Sequence, residues 1–166
     1  MIAAPNLSTA LAENASASAS PLSEAADGPF QVWKKKEKFY LVIAVDQTGV
    51  KGTELPFALV DGMQVGKAFG NLGYKPLVED QPIGAQASQG NVIAALQKIR
   101  GLPEWATVIV YYSCHGVADP TAKDVWLQLA GQTSVSDHFG ISVGGLIETA
   151  RGASYLGELH VIVDAC

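Results

Sequence analysis

Three unbroken apolar runs of strand length constrain this chain most: FYLVIAV at 39–45, ATVIVYY at 106–112 and LHVIVDA at 159–165. A strand wet on one face alternates apolar and polar residues, so runs without alternation predict strands covered on both faces, as in a parallel sheet between helices. Segments of helical character lie between them. From Leu55 to Leu72, the spacing of Leu59, Met63, Val65 and Phe69 predicts an amphipathic helix despite Gly62 and Gly66, with Gly73 as its stop. Tyr74 to Val78 reads as a short second strand. Ser88 or Asn91 can cap a second helix whose Val92, Ile93, Leu96 and Ile99 form a stripe, ended by Gly101 and Pro103. VWLQLA reads as a small hairpin strand, and Ser142 caps a third helix through Ala150. Strand and helix thus alternate as in an open α/β sheet of four buried strands with right-handed crossovers.

The first 36 residues differ from the rest. Ala and Ser dominate them, Lys and Arg are absent through Pro29, and no basic n-region or sustained apolar stretch marks a signal peptide or membrane span. Residues 1–36 therefore read as a mobile tail and basic linker, and residues 37–166 as the folded domain. The collar Lys34, Lys35, Lys36, Glu37, Lys38 is expected to be solvated before the first strand. Sixteen acids against eleven bases, a net charge of −5, exclude a general electrostatic grip on nucleic acid, and no membrane partner is expected. Two cysteines, Cys114 and Cys166, are too few for a secreted disulfide framework and fit a reducing, cytoplasmic compartment.

Ligands of open α/β sheets bind outside the carboxyl ends of the strands. The residues expected there are Asp46, then Glu79 and Asp80, then Ser113, Cys114, His115 and Gly116, and finally Cys166. If the strands preceding His115 and Cys166 are neighbours, about 5 Å apart, the imidazole can promote formation of a thiolate that attacks a carbonyl. The resulting oxyanion needs preorganised donors. The Gly116 N–H, unobstructed by a side chain, and the Cys166 amide are the natural pair.

In caspases the catalytic histidine precedes the nucleophilic cysteine by about 50 residues, and His115 precedes the Asp164-Ala165-Cys166 element by a comparable gap. From Phe39 onward the chain resembles the large subunit of the caspase, metacaspase and paracaspase group, chiefly its prokaryotic and metacaspase-like members. FYLVIAV is similar to the family's first strand, and LPFALVDGMQVGKAFGNLGY to its helix and Leu-Gly-Tyr turn. VIVYYSCHG and VIVDAC are similar to its histidine and cysteine elements, with Cys114 standing where the family has glycine. The resemblance implies a caspase-like cysteine endopeptidase fold, His115 as general base, Cys166 as nucleophile and Gly116 as oxyanion donor. Cys114 is expected to pack beside the strand end.

An enzyme cutting after aspartate presents arginines to the substrate carboxylate. Here only Arg100 and Arg151 exist, both ending helices and so expected at the amino edge of the sheet; the caspase arginine position corresponds to Leu55. Acids collect at the other edge. Asp164 matches the metacaspase position that receives a basic side chain, Asp61 the helix aspartate that accompanies it, and Asp46 lies nearby. The expected reaction is cleavage after Arg or Lys in a protein or peptide substrate, with self-processing at Lys34, Lys35, Lys36 or Lys38. Cleavage after Asp and a catalytically idle interaction module are the alternatives.

No cofactor or metal is expected. Cys114, His115, His138, His160 and Cys166 show no zinc spacing, and the acids around Asp119 and Asp124 are too few at ligand spacing for calcium, which some metacaspases use. The resemblance also implies two further strands after the nucleophile, from a small subunit or a continuing chain, to cover the sheet edge beside the site.

Overall fold

The computed structural model describes residues 36–165 except 120, 122, 133–139 and 153–156. The chain divides between Lys35 and Lys36, and the described residues belong to the second unit. The elements run β1 (Lys38–Ala44), α1 (Ala58–Asn71), β2 (Lys75–Pro76), α2 (Gln89–Gln97), β3 (Thr107–Ser113), β4 (Gly116–Asp119), β5 (Asp124–Leu127), β6 (Ile141–Ser142), α3 (Val143–Arg151) and β7 (Glu158–Asp164). It is an α/β fold whose main sheet has the order β2-β1-β3-β7, with every pairing parallel.

The apolar runs build this sheet because both faces of its centre are covered. Leu41, Ile43, Val108, Val110 and Tyr112 alternate onto one face and pack with Val92 and Leu96 of α2 and Leu146 of α3. Val42, Ala44 and Tyr111 alternate onto the other, under α1. Both expected caps form: the Ser88 hydroxyl accepts from Asn91 N at 3.4 Å, and the Ser142 hydroxyl from Gly145 N at 2.9 Å.

One glycine of α1, Gly62, has a packing reason. A Cβ on Gly62 would stand 2.5 Å from the Ala44 Cβ and 3.2 Å from Val42 Cγ1, so only a bare backbone lets the helix sit this close to β1. Gly62→Ala should therefore destabilise the fold by about 1–3 kcal/mol through overpacking, despite alanine's better helix propensity. A thermal midpoint equal to or above that of the parent chain would contradict this packing.

Two expectations are corrected. The last strand is not buried: β7 is an edge strand that pairs only with β3 among the described residues, and Ile162 and Val163, on opposite faces, are 44% and 38% exposed. Its apolar run resembles that of a central strand, yet α1 packs over β1 and β3. Second, the single hairpin strand is the middle of a three-stranded antiparallel sheet, β4-β5-β6. Gly-Val-Ala-Asp in β4 and two residues in β6 carry too little apolar pattern to be recognised as strands.

The sheet order places the site. From β1 the chain moves outward to β2, then crosses back beyond β1 to β3, so the connections diverge between β1 and β3. At such a switch point the loops leaving the two strands part and open a crevice at their carboxyl ends.

Candidate functional site

The loop leaving β1 is closed on itself. Leu55 N donates to Asp46 O at 2.8 Å, and inside this neck Thr53 N and Thr53 Oγ1 both reach Val50 O, at 3.3 and 2.7 Å. With the Thr53 hydroxyl proton committed to Val50, the buried Thr48 hydroxyl donates to Thr53 Oγ1 at 2.7 Å. Gln132 N ties the same loop to the second sheet through Thr48 O at 2.6 Å. These bonds fix the Thr53 carbonyl, whose oxygen stands 2.9 Å from His115 Nε2.

A carbonyl oxygen only accepts, so Nε2 carries the proton in this pair and the neutral ring keeps Nδ1 as its free base. His115 follows β3 directly, and its backbone is held as firmly as its ring. Tyr112, fully buried, has its hydroxyl 2.7 Å from His115 O and 2.6 Å from Gln128 O, and Gln128 N donates to His115 O at 3.0 Å. Burial pushes the Tyr112 phenol far above its ordinary pKa, so it remains a donor.

Gly116 opens β4. The Gln128 N to His115 O bond makes 115 and 128 a hydrogen-bonded pair, so ladder alternation turns the next N–H, that of Gly116, away from β5. A Cβ on Gly116 would stand 3.2 Å from the Ala165 Cβ and 3.1 Å from Val125 Cγ1. Glycine therefore lets the chain leaving β7 come against the turn that carries the histidine. β7 is the immediate neighbour of β3, with Ser113 opposite Asp164 and Cys114 N donating to Asp164 O at 3.3 Å. Cys166 itself lies outside the described residues, next in sequence after Ala165.

Beside this turn a cleft is lined by Leu55, Pro56, Phe57, Ala58, Asp61, Ser113, Cys114, Asp164 and Ala165. Asp61 enters from the first turn of α1 and Asp164 from the end of β7, so the two carboxylates share one cleft. Both residues are exposed, on the side left open by the edge strand. Leu55 adds an apolar wall, and no arginine lines the cleft. Cys114 is 3% exposed and packs in the main core, and burial pushes its thiol pKa up.

Asp46 is not among the residues lining this cleft. Its Oδ1 lies 3.7 Å from where a Gly84 Cβ would stand, and its charge still reaches the Cys114 thiol. Arg100 lies against Gly152, and Arg151 ends α3; each precedes a strand start, so both stand at the amino end of the sheet. Lys38 is exposed, as expected, but does not precede the first strand: it is the first residue of β1, opposite Thr107, with its ammonium 5.2 Å from the Tyr74 ring centre. Peptide bonds held in a sheet resist proteases, which bind extended, unpaired chain, so Lys38 drops from the self-processing positions. Lys36 is exposed and bridges to Glu158 at 3.4 Å, while Lys34, Lys35 and His138 lie outside the described residues. His160 is exposed on β7, 3.6 Å from Glu158. Asp124 directs its carboxylate to Val125 N and Gly144 N, at 2.8 and 3.2 Å.

Two contributors escape the sequence. Thr53 acts through a backbone carbonyl, which any residue type supplies, and Tyr111, whose hydroxyl donates to Asp164 of the cleft, sits in an apolar run that reads as core. Comparison with protein-family models and with curated proteins gives no match for this chain. Among the described residues no helix is long and apolar enough to cross a membrane.

Proposed function

We propose that the chain is a caspase- or metacaspase-like cysteine endopeptidase of the cytoplasm that cuts after Arg or Lys, with His115 and Cys166 as its dyad. The observation that carries this reading is the His115 Nε2 to Thr53 O contact of 2.9 Å, which leaves Nδ1 as a base at the sheet's switch point. Nδ1 takes the Cys166 proton, and the thiolate adds to the scissile carbonyl. The Gly116 and Cys166 amides receive the oxyanion. The imidazolium then protonates the leaving amine as the C–N bond breaks, and water, deprotonated by His115, releases the acyl group from sulfur. Asp164 and Asp61 receive the basic side chain through charge-assisted hydrogen bonds.

The open edge of β7 supports a further element of this reading: a strand from a small subunit or a continuing chain pairs there. Covalent labelling tests the dyad. A basic peptide bearing a thiol-reactive group should mark Cys166 and leave the His115→Ala chain unmarked; equal labelling of both would indicate an idle scaffold. Intact masses of the same preparations read removal of the tail at Lys34, Lys35 or Lys36.

The loop that aims the histidine has its own signature. Thr48→Val keeps the side chain's shape and deletes its hydroxyl, loosening the Thr53 carbonyl without touching the cleft. It should lower kcat about fivefold, with KM for a basic peptide unchanged. A rise in KM at constant kcat would show that the loop serves binding instead.

A further inference from the structure

Asp164 is exposed and ends a strand that has one neighbour in its sheet among the described residues. A carboxylate in that position rotates freely unless something holds it, and a freely rotating group loses entropy when it must meet a ligand. One buried group reaches it. Tyr111 is 6% exposed, packed on the α1 face with Val42 and Ala44, and its hydroxyl donates to Asp164 Oδ2 at 3.0 Å. The reach is diagonal: Tyr111 stands opposite Ile162 in the β3-β7 register, two residues before the Ser113 and Asp164 pair, a span that suits a long side chain. Ser113 stands on the same face, opposite Asp164.

We propose that Tyr111 is a positioning residue for substrate recognition, holding Oδ2 of Asp164 so that Oδ1 is presented, together with Asp61, to the guanidinium or ammonium of the residue before the scissile bond. This rests on the basic-specificity reading of the cleft. Burial first, and the Asp164 contact next, push the Tyr111 phenol above its ordinary pKa, so it stays a donor wherever Asp164 is ionised. The buried ring gives the carboxylate an anchor that the strand edge lacks, and the cation then meets one fixed oxygen on β7 and the Asp61 carboxylate on α1.

The test uses the full chain and agmatine, a bare guanidinium on a short alkyl stem, with binding read by NMR titration in the Cys166→Ala background. Agmatine should bind the parent, about three- to tenfold more weakly after Tyr111→Phe, which keeps the packed ring. In an Asp164→Asn background the same substitution should change nothing, because the pinned charge is already gone. With active chain and a peptide carrying Arg before the reporter, Tyr111→Phe should raise KM by a similar factor and leave kcat within about twofold. Unchanged agmatine affinity in Tyr111→Phe, an equal loss in the Asp164→Asn background, or no binding by the parent at millimolar agmatine would overturn the proposal. Failure of the protease reading shows separately, as absence of turnover by the parent chain beside an intact agmatine series.

Discussion

Replacing Cys166 or His115 by alanine is expected to lower peptide cleavage by about a thousandfold or more, at least about 4 kcal/mol of transition-state stabilisation. The magnitude follows from the division of labour. In the proposed reaction no acyl intermediate forms without the thiol, and without the imidazole no base takes the thiol proton and the leaving amine has no proton donor. The double replacement should be scarcely slower than either single one, since the two groups act as one unit. His115→Gln should rescue nothing, because an amide N–H can donate to the Thr53 carbonyl but an amide is no base and cannot shuttle a proton. Retention of more than a tenth of the parent rate in either single alanine variant would remove His115 and Cys166 from the chemistry. Initial rates with a fluorogenic Arg peptide, at matched folded concentration, make the measurement.

The second large effect is on selectivity. Asp164→Asn, which keeps the shape and removes the charge, should cut kcat/KM for Arg and Lys peptides by about 10–100-fold, the worth of a hydrogen bond to a charged group. Exposure of Asp164 favours the lower end of that range, because water screens an open carboxylate. Most of the loss should fall on KM. Asp61→Asn should act in the same direction but less, since the α1 carboxylate stands in the same cleft without a Tyr111-like anchor among the hydrogen bonds that define the site. Raising salt should weaken the parent's preference for basic peptides and leave the Asp164→Asn chain nearly indifferent. Faster cleavage after Asp than after Arg or Lys by the parent would sink the basic specificity, while leaving the dyad standing.

The cleft's composition explains why its selectivity is expected to run toward cations. Leu55 supplies an apolar wall, Asp61 and Asp164 the charge, and neither arginine of the chain is near. A substrate carboxylate entering this cleft would meet like charge and find no bidentate donor. The openness that lowers the worth of Asp164 has a structural counterpart in the bare edge of β7. A strand added there would cover Ile162 and Val163 and reduce water's access to the same carboxylate.

Much of this was legible in the sequence because backbone hydrogen bonding and apolar burial leave periodic traces. FYLVIAV and ATVIVYY became the central strands β1 and β3, and Ser88 and Ser142 cap the helices they precede. The positions of His115, Gly116 and Asp164 at strand ends also follow from the pattern alone, since a polar residue ending an apolar run marks where the strand leaves the core. LHVIVDA misled in one respect. Its composition is that of a doubly covered strand, but coverage depends on what lies beside it, and β7 has one neighbour among the described residues.

The sequence by itself determined a parallel α/β sheet, its helix caps and the set of chemically able residues at its carboxyl edge. Only the tertiary structure decided the order β2-β1-β3-β7, which makes β3 and β7 neighbours and brings Asp164 alongside the histidine turn. It also decided that the Thr53 carbonyl meets His115, that Asp46 lies by Gly84 outside the cleft lining, and that the Tyr111 hydroxyl donates to Asp164. The physical reason is one of range. Period and capping are set by bonds between residues a few positions apart, whereas strand order and the aim of a carbonyl or a carboxylate are set by contacts across dozens of residues, which leave no period to read.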